Sequence, residues 1–167
     1  MRSLALTIAA VAVTAGLAGC NKSSNSQAPT NEAATSAGAT PAEPTDAQKK
    51  ALIATLPAPY STGDLDNGEA KFAICKSCHT LTAGGPDMTG PNLNGVFGRK
   101  VASKPGYNYS DPMKAQAFTW DTDHLDKWLT DPKAMIPGTK MTFVGFKDPK
   151  DRIDVIAYLK AETSPVS

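Results

Sequence analysis

Large apolar side chains are almost absent from residues 21–48, a stretch of Ser, Thr, Ala, Asn, Gln and Pro. Such a segment cannot bury enough surface to offset its ordering entropy, so a packed subdomain is excluded and a flexible tether is expected. Cysteine is scarce, with three in 167 residues. No second Cys or His pair accompanies Cys75 and Cys78, which argues against a four-ligand zinc site. No βαβ pattern follows them, which argues against a thioredoxin-like redox motif. Neither sign of charge dominates: 17 Lys and Arg stand against 16 Asp and Glu. That removes the basic footprint of a nucleic-acid binder. No internal repeat is visible.

The one extended apolar run lies between Leu4 and Leu17, behind Arg2. A basic start, an apolar core and small residues make a secretory signal over residues 1–19. Its ending, Leu17-Ala18-Gly19-Cys20, resembles a bacterial lipobox, in which cleavage exposes Cys20 as an acylated N-terminus. An ordinary signal peptide and an uncleaved anchor are the competing readings, although the Ala, Gly and Thr content makes a poor membrane span. On the lipobox reading the protein is a lipid-anchored lipoprotein on the periplasmic side of a bacterial membrane. Residues 20–59 form its tether and residues 60–167 one small domain. Within the tether, residues 49–56 can form one or two helical turns before Pro57.

What the chain does have is Cys75-Lys76-Ser77-Cys78-His79. Cys-x-x-Cys-His marks covalent haem attachment: two thiols add across the porphyrin vinyl groups and the adjacent imidazole is placed to ligate iron. With Cys20 acylated, no thiol remains for a disulfide. A domain of about a hundred residues has a marginal core, which a buried macrocycle would supplement.

The rest reads as all-α. Residues 68–74 predict a helix running into the haem motif, with Gly68 and Phe72 one turn apart on one face. Glycine inside a helix costs about 1 kcal/mol, so Gly68 predicts the close approach of another element, the last helix. That helix starts at Asp148-Pro149, an N-cap followed by proline at the first helical position, and carries Val155, Ile156, Tyr158 and Leu159. A middle helix is expected from Trp120 to Leu129, capped by Asp121 and ended by Pro132. Gly84-Gly85-Pro86, Gly90-Pro91-Asn92 and Lys104-Pro105-Gly106 read as turns. Met141 follows the turn Pro137-Gly138-Thr139-Lys140, a soft thioether donor well after the histidine; these neighbours set it apart from its competitors Met88, Met113 and Met135. His124 sits among Asp121, Asp123 and Asp126 and reads as a solvated surface histidine.

These motifs, with Gly95-Val96-Phe97-Gly98-Arg99, Tyr109, Phe118-Thr119-Trp120 and Arg152…Ala157-Tyr158-Leu159-Lys160, occur in an order and spacing that resemble class I cytochrome c, mitochondrial-like, from Gly63 to Thr163. The resemblance implies the cytochrome c fold, three main helices plus short ones around one haem c. It implies thioether links at Cys75 and Cys78, with His79 and Met141 on the iron. It assigns Pro91 as acceptor of the imidazole N–H, and Tyr109, Trp120 and Thr139 as propionate donors. Arg99 would offset their charge and Phe143 would lie on the haem face. Trp128 stands where the mitochondrial family usually has tyrosine, and Met113 where it has a water-holding asparagine. Trp128 can donate but not accept.

The implied function is a monomeric electron carrier, not an enzyme, passing single electrons from ubiquinol–cytochrome c reductase to a terminal cytochrome c oxidase. A peroxidase-like haem enzyme or ligand sensor with a labile Met141, and a dedicated subunit of one dehydrogenase, are the alternatives. Four of the basic residues and three of the acidic ones precede residue 60, leaving equal numbers in the domain. Long-range steering should therefore be weaker than in a strongly basic homologue, although Lys71, Lys76, Lys133, Lys140 and Lys147 match positions around the exposed haem edge.

Overall fold

The computed structural model describes residues 43–165. The signal segment, Cys20 and the tether up to residue 42 lie outside the described residues. Six α-helices follow in order: α1 (Asp46–Ala54), α2 (Leu65–Phe72), α3 (Asp111–Lys114), α4 (Thr122–Thr130), α5 (Pro132–Met135) and α6 (Pro149–Thr163). Short 3₁₀ turns occupy Tyr60–Thr62 and Cys75–Ser77. Among the described residues the only extended pairing is a single bridge between Lys100 and Thr119.

Local chemistry explains where the helices start. Asp64 accepts from the N–H groups of Asp66 and Asn67 at the head of α2. Asp121 accepts from His124 N–H at 2.8 Å, so α4 begins at Thr122, and Trp120 stays in the extended segment before it. Asp131 ends α4 and, with Pro132 next, caps α5 through Lys133 and Ala134. Asp148 caps α6 at Lys150, with Pro149 at the first position. Side-chain oxygens here satisfy donors that the first turn leaves without a helical partner.

The α2–α6 crossing is the centre of the fold. A Cβ on Gly68 would lie 2.7 Å from the Tyr158 Cβ and against the Asp154 carbonyl, so only glycine permits this approach. Phe72 stacks obliquely on Tyr158 at 5.6 Å. Asp154, 1% exposed, ties α6 to the start of α2 by accepting from Asp64 N–H at 2.9 Å and the Asn67 amide at 2.6 Å. Residues 154–159 are all buried, so α6 is enclosed on every side. α4 contributes Leu125, Trp128 and Leu129 at helical spacing and is joined to α6 by Arg152 Nε donating to Asp126 at 2.8 Å.

The folded domain reaches further back than residue 60. Residues 46–54 form α1, closed at its head by a reciprocal Thr45–Gln48 capping box, and Ile53 packs with Ala157, Ala161 and Leu65. Thus the stretch given to the tether from residue 46 onward is part of the domain. Its sequence supplies Ile53 at the right place, and the α6 alanines supply a shallow face to receive it.

Candidate functional site

A cavity of about 430 Å³ opens between α2, α4, α6 and the loops that join them. Its size falls in the range of small-molecule and cofactor sites. Cys75, Cys78 and His79 form one wall, at and just after the 3₁₀ turn that follows α2. Pro91, Arg99, Tyr109 and Trp120 come from the long central loops; Trp128 comes from α4; Thr139, Met141 and Phe143 come from the segment after α5. The fold therefore brings all eleven residues singled out for haem binding around a single space. His124 lies elsewhere: its ring stacks on Phe118 at 4.3 Å and its Nδ1 meets Asp121 at 2.7 Å.

His79 is the most closely held of these groups. Its Nδ1 lies 2.7 Å from the Pro91 carbonyl oxygen. A carbonyl only accepts, so Nδ1 carries the proton and Nε2 keeps its lone pair. Burial lowers the imidazole pKa, partly offset by that hydrogen bond, which favours the neutral form a metal needs. Gly90 lies against the ring, where a Cβ would come within 2.7 Å of both nitrogens. Ring orientation and tautomer are thus fixed together. The supporting loop is held by Asn92, 4% exposed, whose amide donates to Thr80 Oγ1 at 2.7 Å and to the Thr82 carbonyl at 2.9 Å.

Met141 stands after the turn at Gly138, whose φ of +85° favours glycine. Its N–H donates to Thr139 Oγ1 at 3.2 Å, and Lys140 is drawn off to the Asn108 carbonyl at 2.6 Å. The two thiols are not paired with each other, and burial pushes Cys75 up to about 11.

The polar wall is suited to an anionic group. Arg99 is half-buried and its guanidinium donates only to the Asn94 and Asn92 carbonyls, each at 3.2 Å; no carboxylate among the described residues forms an ion pair with it. Burial lowers its pKa, partly offset by Tyr109 and Asp87. The Ser110 hydroxyl is buried at the cavity wall with no hydrogen-bond partner. Sequence reasoning missed Ser110, and only its position beside Tyr109 hinted at it. The apolar walls, two adjacent thiols, a neutral imidazole, a thioether and uncompensated donors together fit a haem with its two carboxylates. Among the described residues no cluster of His, Cys, Asp or Glu offers a separate metal site.

Met113 and Trp128, the two departures from the mitochondrial pattern, both line this cavity and are buried. Trp128 meets Trp120 edge-on at 5.6 Å. Three of the rim lysines are internally paired, Lys71 with Asp151 at 2.8 Å, Lys76 with Glu69 at 3.1 Å and, more loosely, Lys147 with Asp131 at 3.9 Å.

Comparison with known proteins agrees with this geometry. The family model described as Cytochrome c matches residues 65–162. The chain is 50% identical over 103 residues to cytochrome c2 of Rhodomicrobium vannielii, covering 62% of this chain and 82% of that protein. It is 47% identical over 105 residues to cytochrome c of Cochliobolus lunatus, covering 62% and 97%. Among solved structures, cytochrome cH from Methylobacterium extorquens superposes with a TM-score of 0.55 at 47% identity, over 59% of this chain and 98% of that one.

Proposed function

The chain belongs to the cytochrome c family, and from that premise we propose a membrane-tethered one-electron carrier whose haem iron is ligated by His79 and Met141. Membership implies covalent haem c, and Cys75 and Cys78 have the spacing for its two thioether links. When bound, the haem supplies an iron that alternates between the ferrous and ferric states.

The protein's own part is to hold the ligands and exclude competing chemistry. The observation that carries this reading is the His79 arrangement: Nδ1–H donated to Pro91, Gly90 against the ring, and Nε2 left with its lone pair. Met141, lining the same cavity, is the second ligand; its thioether favours reduced iron and raises the potential. Arg99, Ser110, Tyr109, Trp120 and Thr139 receive the propionates, and Trp128 and Phe143 close the apolar walls. With His79 and Met141 both on the iron no position would remain for a substrate, which would separate a carrier from a peroxidase-like enzyme or sensor.

The tether is read from Leu17–Cys20: acylation of Cys20 holds the domain on the periplasmic side of a bacterial membrane. Among the described residues no helix is long and apolar enough to cross one. Donor and acceptor are then membrane complexes, ubiquinol–cytochrome c reductase and a terminal oxidase.

Carbon monoxide added to the reduced protein tests the ligation. An unchanged haem spectrum at neutral pH is expected for the native chain, and rapid binding for Met141→Ala. Rapid binding to the native chain would instead favour the enzyme or sensor.

A further inference from the structure

Two aliphatic side chains stand exposed at the mouth of the haem cavity. Ile74 and Val144 both line that cavity, yet they are 61% and 76% exposed, so they sit at its opening. The other exposed large apolar residue among the described ones, Met88, is not part of the lining. Both positions are built into fixed backbone. Ile74 lies between the buried Phe72 and Cys75, and its carbonyl accepts from the Ser77 hydroxyl at 3.0 Å. Val144 follows Phe143, which meets Phe146 edge-on at 4.9 Å and packs with it on the core. Phe146 N–H donates to the Leu129 carbonyl at 2.7 Å. Gly145, with φ +88°, has no room for a Cβ against the Thr130 carbonyl. The segment is thus tied inward on both sides of Val144, which leaves its isopropyl group facing out.

Charge around the mouth is largely balanced within the protein. Lys71, Lys76 and Lys147 have carboxylate partners in Asp151, Glu69 and Asp131, and Lys140 donates to the Asn108 carbonyl. An acidic face would find few unengaged cations there, whereas an apolar face would find branched aliphatic surface that gains by leaving water. We propose that Ile74 and Val144 anchor a docking site for a redox partner that presents an uncharged, apolar patch around its electron-accepting group. This rests on the electron-carrier reading above and adds the kind of surface the carrier meets. The centres of protein interfaces are depleted of charge, and side chains already held in place lose little freedom on binding. Electron-transfer encounters bury small areas, so two aliphatic anchors beside the cofactor supply a large share of the contact.

The test is oxidation of the reduced, haem-loaded full chain by terminal cytochrome c oxidase solubilised from its native membrane. Wild type is compared with Ile74→Glu, Ile74→Lys and Ile74→Leu, and with the same three changes at Val144. Glu and Lys place opposite charges at one spot. An apolar partner face rejects both, so each is expected to raise KM by roughly fivefold or more while kcat stays within about twofold. Leu, which keeps an aliphatic surface, should stay within about twofold of wild type in KM. A KM that falls with Lys and rises with Glu would mean a charged partner face and would overturn the proposal. An unchanged KM in both charged variants would overturn it as well. Ile74 adjoins Cys75, so the Val144 series repeats the comparison away from the thioether link. Failure of the underlying reading looks different: the oxidase would leave the wild-type protein reduced, or the wild type would bind carbon monoxide.

Discussion

Replacing Gly68 by alanine places one methyl group in the α2–α6 crossing. The new Cβ would lie 2.7 Å from the Tyr158 Cβ and press on the Asp154 carbonyl, neither of which is the mobile end of a side chain. In an open helix this change would stabilise by about 1 kcal/mol, through lower backbone entropy in the unfolded chain. Here the helices must separate instead, and overpacking of this kind costs about 1–3 kcal/mol. The cost rises further because Asp154 is also hydrogen bonded to Asp64 and Asn67, so moving α6 lengthens those bonds too. We expect a net loss of roughly 1–3 kcal/mol. For a domain near a hundred residues this lowers Tm by roughly 5–15 °C. Guanidinium unfolding of the haem-loaded protein, followed by tryptophan emission, measures it directly. A Gly68→Ala protein as stable as the wild type would refute the claim that close backbone approach, rather than chance, requires glycine there.

Asp154 gives a pH signature. Burial works against its carboxylate, but donation from Lys150, Asp64 N–H and Asn67 outweighs this and holds its pKa below the ordinary value. A depressed native pKa contributes stability above the unfolded-state pKa near 4, lost as pH falls through the native one. Asp154→Asn should therefore be less stable than wild type by about 1–3 kcal/mol at pH 7, with the gap narrowing below roughly pH 4 in denaturant titrations. Ionic strength gives another: with Lys71 and Lys76 already paired, electron transfer to a purified acidic oxidase should fall by less than about threefold between roughly 0.02 and 0.2 M salt. A fall of tenfold or more in stopped-flow oxidation would contradict this.

Elements governed by neighbouring residues were legible in the sequence. Asp148-Pro149 and Asp121 declare helix starts through local donors and acceptors, and both caps form. Gly68 was legible because an unfavourable residue in a helix signals a contact elsewhere. The docking of α1 was not legible. Its receiving face consists of Ala157 and Ala161, residues that signal neither burial nor partner and lie about a hundred positions downstream. At the site, the haem motif and the Met141 turn are short-range patterns and could be read directly. The orphaned Ser110 hydroxyl and the Asn92 loop lock could not, because both depend on contacts that only the folded loops create.

The order of synthesis gives the enclosed α6 a further meaning. α6 follows every other wall of the cavity along the chain, and its Val155 and Leu159 complete the enclosure. Until residues 149–163 are made and seated, the pocket has no back. The burial that pushes the Cys75 thiol up to about 11 is absent from the nascent chain, so its sulfur stays accessible and more readily ionised. Seating of α6 is therefore also what lowers the reactivity of the Cys75 sulfur, while both cysteines keep part of their surface exposed in the finished fold. One helix thus both completes the cavity wall and sets the chemistry of a thiol that lines it.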